Sequence, residues 1–197
     1  GMTEIGMGIS NPYNGERRAG AVGQPLPGVQ CQLFDENDNV VKRESEPGEI
    51  RVKGDNVFLE YWENEEATKS SFKDGWFCTG DVAVVEQGYY RIMGRSSVDI
   101  IKSGGYKLSA LEIEGVLLTH DSISEVAVIG VEDDIWGEAV TAFVALKEGT
   151  ALEFDSLKSW CEGRMSSYKI PKHLKLVDAL PRNAMGKVTK PSLKELL

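Results

Sequence analysis

Residues 29–33 alternate apolar and polar side chains (Val29, Gln30, Cys31, Gln32, Leu33), and residues 49–53 alternate again after Pro47 and Gly48. A period of two puts every second side chain on one face, which is the pattern of a half-buried strand. Between these runs, residues 35–39 are all Asp, Glu or Asn, a turn cluster, before Val40 and Val41 resume the apolar character. Two further runs, 82–85 and 89–93, are separated by Glu86, Gln87 and Gly88, the signal of a hairpin. Residues 64–72 predict one short helix. Several short strands at turn-punctuated spacing predict a small barrel or a distorted sheet.

The second half changes period. Ser109 and Glu112 have the spacing of a capping box, in which hydroxyl and carboxylate satisfy the free N–H groups of a helix start. Ile113, Val116 and Leu117 then fall on one helical face. Residues 126–131, 140–146 and 173–177 read as strands. Phe154, Leu157, Trp160, Cys161 and Met165 mark a second amphipathic helix that stops before Ser166 and Ser167. The chain is therefore expected to be α+β, with a β-rich part over residues 1–93 and a small mixed α/β part over 94–197. The junction falls near Gly94 and Arg95.

Composition narrows the function. Lys and Arg number 22 and Asp and Glu 31, a formal net charge of −9. That balance argues against a nucleic-acid groove, which needs clustered basic side chains. No apolar run approaches the length of a membrane span, and no secretory signal is visible. The abrupt start at Gly1 suggests a truncated chain, with any localisation signal lost with the missing part; an intracellular location, cytoplasmic or mitochondrial, is the expectation and the compartment stays open. Cys31, Cys78 and Cys161 are dispersed and odd in number, and each reads as a small apolar residue rather than a zinc ligand or disulfide partner. Neither His120 nor His173 accompanies a recognisable nucleophile turn, so a hydrolytic triad has little support.

Three polar, glycine-bearing segments interrupt the apolar patterning. Thr79, Gly80 and Asp81 form the first; Asp81 is suited either to capping a turn or to accepting hydrogen bonds from a sugar diol. In the second, Gly104 and Gly105 stand between Lys102 and Lys107. This is either an anion site or a plain glycine turn before the helix capped by Ser109. The third runs from Pro181 through Arg182, Asn183, Ala184, Met185 and Gly186 to Lys187, which is either a solvated loop or a cationic tip able to neutralise a phosphate charge. These segments point to an anionic or nucleotide ligand and go no further by themselves.

Taken in order, four motifs resemble those of the adenylate-forming enzymes, the superfamily of acyl-CoA synthetases and related ligases. They are Gly1, Met2, Thr3 and Glu4; the segment from Trp76 to Asp81; Gly94 and Arg95 with the run from Ile101 to Lys107 and on to Glu112 and Glu114; and the segment from Pro181 to Lys187. The run Ser10, Asn11, Pro12, Tyr13 and the residues from Val98 to Glu112 are most similar to the malonyl-CoA synthetase branch. The resemblance implies ATP, Mg²⁺ and coenzyme A as cofactors, a small carboxylic acid as substrate, and an N-terminal large domain, lying before Gly1, as partner. In that reading residues 1–93 complete the large domain and 94–197 are a mobile lid.

The same resemblance implies residue roles. Thr3 would contact phosphate and Glu4 would help hold Mg²⁺. Gly1 and Met2 would border the acyl pocket. Asp81 and Arg95 would bind the ribose. Lys187 would bridge carboxylate and α-phosphate oxygens during adenylation. Gly104, Gly105 and Tyr106 would face the coenzyme A thiol arm, and Ser96, Ser97, Val98 and Asp99 would contain the hinge. Some relatives carry a second lysine where this chain has Gly104, so no role of that lysine transfers. Arg17 and Arg18 are candidates for a distal substrate carboxylate, although exposed arginines on a strand approach are commoner. Trp136 reads as packing. The rival expectations are another acid as substrate, a binding module without turnover, and a domain that loads a carrier-tethered thiol.

Overall fold

The alternating segments of the first half do fold as strands, and the computed structural model describes all 197 residues. By contact, the chain forms two units, Gly1–Ser96 and Ser97–Leu197. In the first, a small ribbon pairs β1 (Ile9–Ser10) with β2 (Gln24–Pro25). The main sheet holds β3 (Gln30–Phe34), β4 (Gly48–Lys53), β5 (Phe72–Lys73), β6 (Trp76–Glu86) and β7 (Tyr89–Arg95), with the short helix α1 (Glu65–Ser70) between β4 and β5. Every pairing in this sheet is antiparallel. It is a curled half-barrel, the distorted sheet expected: β3 pairs with β4 and β7 with β6, and Tyr90 of β7 also exchanges backbone hydrogen bonds with Val22 and Gly23.

Strand β6 organises this unit. Phe77 pairs with Val52 on one side and Phe72 on the other, and Val82 pairs with Glu49 and Gly94. One edge of β6 therefore takes β4 while the other takes β5 and then β7. The hairpin from β6 to β7 closes through Gln87 and Gly88, both at positive φ, as a two-residue turn requires. Ile5, Leu33, Ile50, Val52, Phe77, Ala83 and Tyr90 make the core. Each large apolar side chain buried this way contributes roughly 1.5–3 kcal/mol. One charge lies among them: Arg51, 4% exposed, is paired with Asp38 and with Glu49 at 3.0 Å and lies over the Phe34 ring. Its partners and the ring offset the cost of burial.

The second unit is a five-stranded sheet with helices against it. A hairpin of β8 (Ile100–Ser103) and β9 (Tyr106–Ser109) leads into α2 (Ala110–Leu117). The long strands β10 (Ile123–Asp133) and β11 (Gly137–Leu146) pair antiparallel. β12 (His173–Leu176) lies parallel to β11 over residues 141–144, and Ser103 of β8 meets β11 at Gly137. Alternate residues of β10 and β11 face two cores. Val126, Val128, Val140, Ala142 and Val144 pack with Ile113 and Leu117 of α2 and with Leu157 and Cys161 of α3 (Phe154–Cys161). Ala127, Ile129 and Phe143 pack with Leu180 and with Leu193 of α4 (Lys190–Leu193). This two-sided burial explains why 126–131 and 140–146 read as nearly continuous apolar runs.

The predicted helix over 154–165 is shorter than expected. It ends at Cys161, because Glu162 leaves helical geometry and Gly163 turns to φ 77°. Met165 reaches the core from outside the helix and is still tied to it by its N–H to the Cys161 carbonyl at 3.2 Å. The expected Ser109 cap is present: its Oγ accepts from the Glu112 N–H at 3.1 Å. The Glu112 carboxylate itself meets Lys169 at 2.6 Å. Cys31 and Cys78 are half-buried free thiols and Cys161 is fully buried; Cys31 and Cys161 pack with the two cores as small apolar residues. Burial pushes the Cys31 thiol up to about 11. No helix is long and apolar enough to cross a membrane.

Candidate functional site

The first three candidate groups lie in the Gly1–Ser96 unit. Residues 2–6 form a tight turn, closed by Met2 N–H to Gly6 O at 3.1 Å and anchored by the buried Ile5. The turn leaves Thr3 exposed and Glu4 half-buried. Glu4 is fixed twice: its carbonyl accepts from Phe58 N–H at 2.8 Å, and its Oε1 accepts from the Tyr61 hydroxyl at 2.9 Å. Tyr61 is in turn held by Phe58, ring to ring at 4.7 Å, and by its N–H to Thr68 Oγ1 of α1.

Thr79, Gly80 and Asp81 are strand residues rather than a loop. They sit where the ladder from β4 to β6 slips: Arg51 pairs with Cys78, but Glu49 pairs with Val82. The extra residues bulge at Gly80, whose φ of 72° suits glycine. Thr79 Oγ1 donates to Ile50 O at 2.7 Å, and the Asp81 and Gly80 N–H groups bond Thr79 Oγ1 and Glu49 Oε1. A bulge clamped this way aims Asp81 outward. Across the hairpin Arg95 is its register partner, with Nε 2.8 Å from Asp81 Oδ1. Gly1, Met2, Thr79 and Asp81 line one cleft of about 230 Å³ with Ile5, Ile9, Val22, Ile50, Val52 and Ile92. The cleft thus brings the expected acyl-pocket residues beside an expected ribose ligand.

Arg18 is already engaged, by Glu16 at 3.0 Å, the Glu86 carbonyl and the Tyr89 ring, and Arg17 donates to the Pro12 carbonyl. Of the expected hinge, Ser96, Ser97 and Val98 form an exposed turn, whereas Asp99 is buried. Lys190 Nζ lies 2.6 Å from Asp99 and 2.8 Å from Glu114 Oε1. Burial pushes the Glu114 carboxyl up, against the pull of Lys190. Ser96 N–H bonds Gly80 O at 2.9 Å.

The remaining candidates lie in the Ser97–Leu197 unit. Gly104 and Gly105, at φ 57° and 82°, are the two-residue turn between β8 and β9. Here the geometry shows the glycine turn; Lys102 and Lys107 are opposed rungs of the same hairpin. Trp136, read from sequence as packing, lays its ring against Gly104, where an added Cβ would sit 3.3 Å away. Tyr106 is exposed and stacks on Tyr168 at 4.6 Å. Lys187 is exposed on a separate, well-built loop. Asn183 Oδ1 accepts from the Met185 and Lys187 N–H groups at 3.0 Å, Arg182 spans to Gly186 O, and Thr189 N–H closes onto Pro181 O. The loop is rigid at its base and presents the Lys187 ammonium to solvent.

Sequence reading passed over Tyr61, Glu138 and Lys190, which touch the candidate residues. The aromatic pair Tyr61 and Trp62 and the Trp136, Gly137, Glu138 triplet were the available signals, but neither carries an obvious chemistry alone.

Comparison with known proteins fits this layout. The model of the AMP-binding enzyme matches residues 1–62, and that of the AMP-binding enzyme C-terminal domain matches 112–187. The mitochondrial malonate–CoA ligase of Mus musculus is 50% identical over an alignment that covers all of this chain and 36% of its own length. The malonate–CoA ligase of Arabidopsis thaliana is 47% identical, with all of this chain and 34% of its own length covered. The crystal structure of ATP-bound MatB from Rhodopseudomonas palustris superposes with a TM-score of 0.85 at 41% identity, across all of this chain and 39% of that one. The chain thus spans about 36% of the length of its curated relatives, and it belongs to the AMP-binding enzyme family.

Proposed function

We propose that this chain is the C-terminal part of an ATP-dependent acid–thiol ligase. The enzyme activates a small dicarboxylic acid, malonate or methylmalonate, as an acyl-adenylate and passes the acyl group to coenzyme A inside the cell. Residues 1–93 complete the large domain and 94–197 act as its lid. The observation that carries this reading is the Lys187 loop, a cation held at a fixed tip by Asn183 and Arg182, in a chain half-identical to a malonate–CoA ligase.

The chemistry is a transfer between charged partners. The substrate carboxylate attacks the α-phosphorus, and pyrophosphate leaves with the bonding electron pair. Lys187 contributes position and charge at the crowded oxygens rather than a proton. Asp81, whose carboxylate carries only acceptor oxygens, accepts from the ribose hydroxyls. Gly1 and Met2 bound the acid. Mg²⁺ keeps its waters and takes one or two carboxylates plus substrate phosphates. Glu4, held at one oxygen by Tyr61, is the residue that would hold that ion, which would supply positive charge to neutralise phosphate. In the second step the thiol displaces AMP, and the side-chain-free turn at Gly104 and Gly105 lets the thiol arm approach the backbone.

The test is Lys187→Ala in the complete ligase containing these residues. Pyrophosphate exchange should fall about 10²–10³-fold, the usual cost of one transition-state charge contact. Thioester formation from supplied malonyl-adenylate should change far less. Equal losses in both half-reactions would remove Lys187 from the adenylation step, and a preference for acetate or a long-chain acid would remove malonate.

A further inference from the structure

The hairpin carrying Gly104 and Gly105 has a slender attachment to its sheet. Only one residue of β8, Ser103, pairs with β11, opposite Gly137. Next to that rung, Gly104 N–H donates to the Trp136 carbonyl at 2.9 Å. On its other side the Lys102 N–H finds a side chain: Glu138 Oε2 accepts from it at 2.6 Å. A carboxylate thus stands in for the backbone carbonyl that a regular ladder would supply there. A bond from an N–H to a charged oxygen is short and about twice as strong as a neutral one. The carboxylate has room because residue 130 is glycine. Gly130 pairs with Val140, two residues along β11 from Glu138. A Cβ on Gly130 would come within 2.8 Å of Glu138 Cδ and 2.9 Å of both carboxylate oxygens.

We propose that Glu138 is a positioning residue for the thiol-transfer half-reaction: through Lys102 N–H it fixes the height and tilt of the Gly104–Gly105 turn, and Gly130 keeps the space it needs. This rests on the proposed ligase function. A tunnel wall made of backbone must lie at a set distance from the thiol arm, and a misplacement of about 1 Å can cost on the order of 10²-fold in rate. The contact of Glu138 is with the hairpin, so its effect falls on the second step.

The experiment uses the complete ligase and measures the two half-reactions separately: pyrophosphate exchange, and thioester formation from preformed malonyl-adenylate over a range of coenzyme A concentrations. Glu138→Ala should lower kcat/KM for coenzyme A at least about tenfold while pyrophosphate exchange stays within about twofold. Glu138→Gln keeps an acceptor oxygen for Lys102 N–H and should recover most of that loss. Gly130→Ala, which displaces the carboxylate without removing it, should shift the coenzyme A step in the same direction. Pyrophosphate exchange doubles as the check that each variant is folded. The proposal is overturned if Glu138→Ala lowers both steps alike, if the coenzyme A step is unchanged, or if Glu138→Gln is no better than Glu138→Ala. A wild-type enzyme that exchanges pyrophosphate but forms no thioester would instead overturn the ligase function itself.

Discussion

Asp38 shows how one side chain links the fold to pH. Hydrogen bonds from Arg51 and then Lys73 hold its carboxyl below the ordinary value of 3.8. In the window just under 3.8 the unfolded chain binds the proton that the folded chain refuses. Stability therefore falls as pH drops through that window, and the contribution is complete above it. Asp38→Asn suits the backbone, since Asn also tolerates the φ of 62° found there. Urea midpoints recorded between about pH 2 and pH 5 should show a shallower acid slope for the variant than for the wild type. Gly80 makes a second prediction. An added Cβ would meet nothing within 4 Å, so Gly80→Ala should cost only the conformational penalty of positive φ, about 1 kcal/mol by chemical denaturation. Asp81 and Lys187 were readable in the sequence because short motifs flag them. The bulge that aims Asp81 was not, since it depends on Glu49 and Ile50, thirty residues away in the chain.

Among the elements, strands with clean alternation and the helix α2 were legible, because period and capping act locally. Ser109→Ala should cost about 1 kcal/mol, the usual worth of an N-cap, as a shift in the urea midpoint. β8 and β9 escaped detection: four residues each, their pattern masked by the charged Lys102 and Lys107. The helix α3 was overextended because Met165 keeps the helical spacing of apolar residues after the backbone has turned. The contact among Lys190, Asp99 and Glu114 joins α4, the turn leading into β8, and α2, and was invisible to local reasoning. Lys190→Met should strand two buried carboxylates at a cost of about 3 kcal/mol. Without the ammonium, burial acts unopposed on the Glu114 carboxyl, which in the folded protein holds its proton more tightly than in the unfolded chain. The loss should therefore be larger near pH 8 and shrink toward about pH 5, as protonation relieves it. An equal loss at both values would deny the charge a role.

Across the whole molecule, the two units carry separate cores, Ile50, Val52 and Phe77 in one and Val128, Val140 and Phe143 in the other. Residues 97–197 produced alone should therefore fold, with hydrogen-exchange protection retained along β10 and β11. Rapid exchange throughout those strands would show that the unit borrows its stability. Sequence patterning places a change of architecture near residue 94, where the period of the apolar residues changes, and contact divides the chain after Ser96. The chain stays with the first unit to Ser96, a detail that depends on the Asp81–Arg95 pair and the Ser96 bond to Gly80.

The clamp on Asp99 has a mechanical outcome. Lys190 sits three residues beyond Lys187 and grips the residue just after the exposed turn at 96–98. The hairpin tip at 104–105 and the base of the lysine loop therefore share one anchor inside the Ser97–Leu197 unit, so a substitution that frees Asp99 from Lys190 slackens both segments together and cannot loosen either one alone.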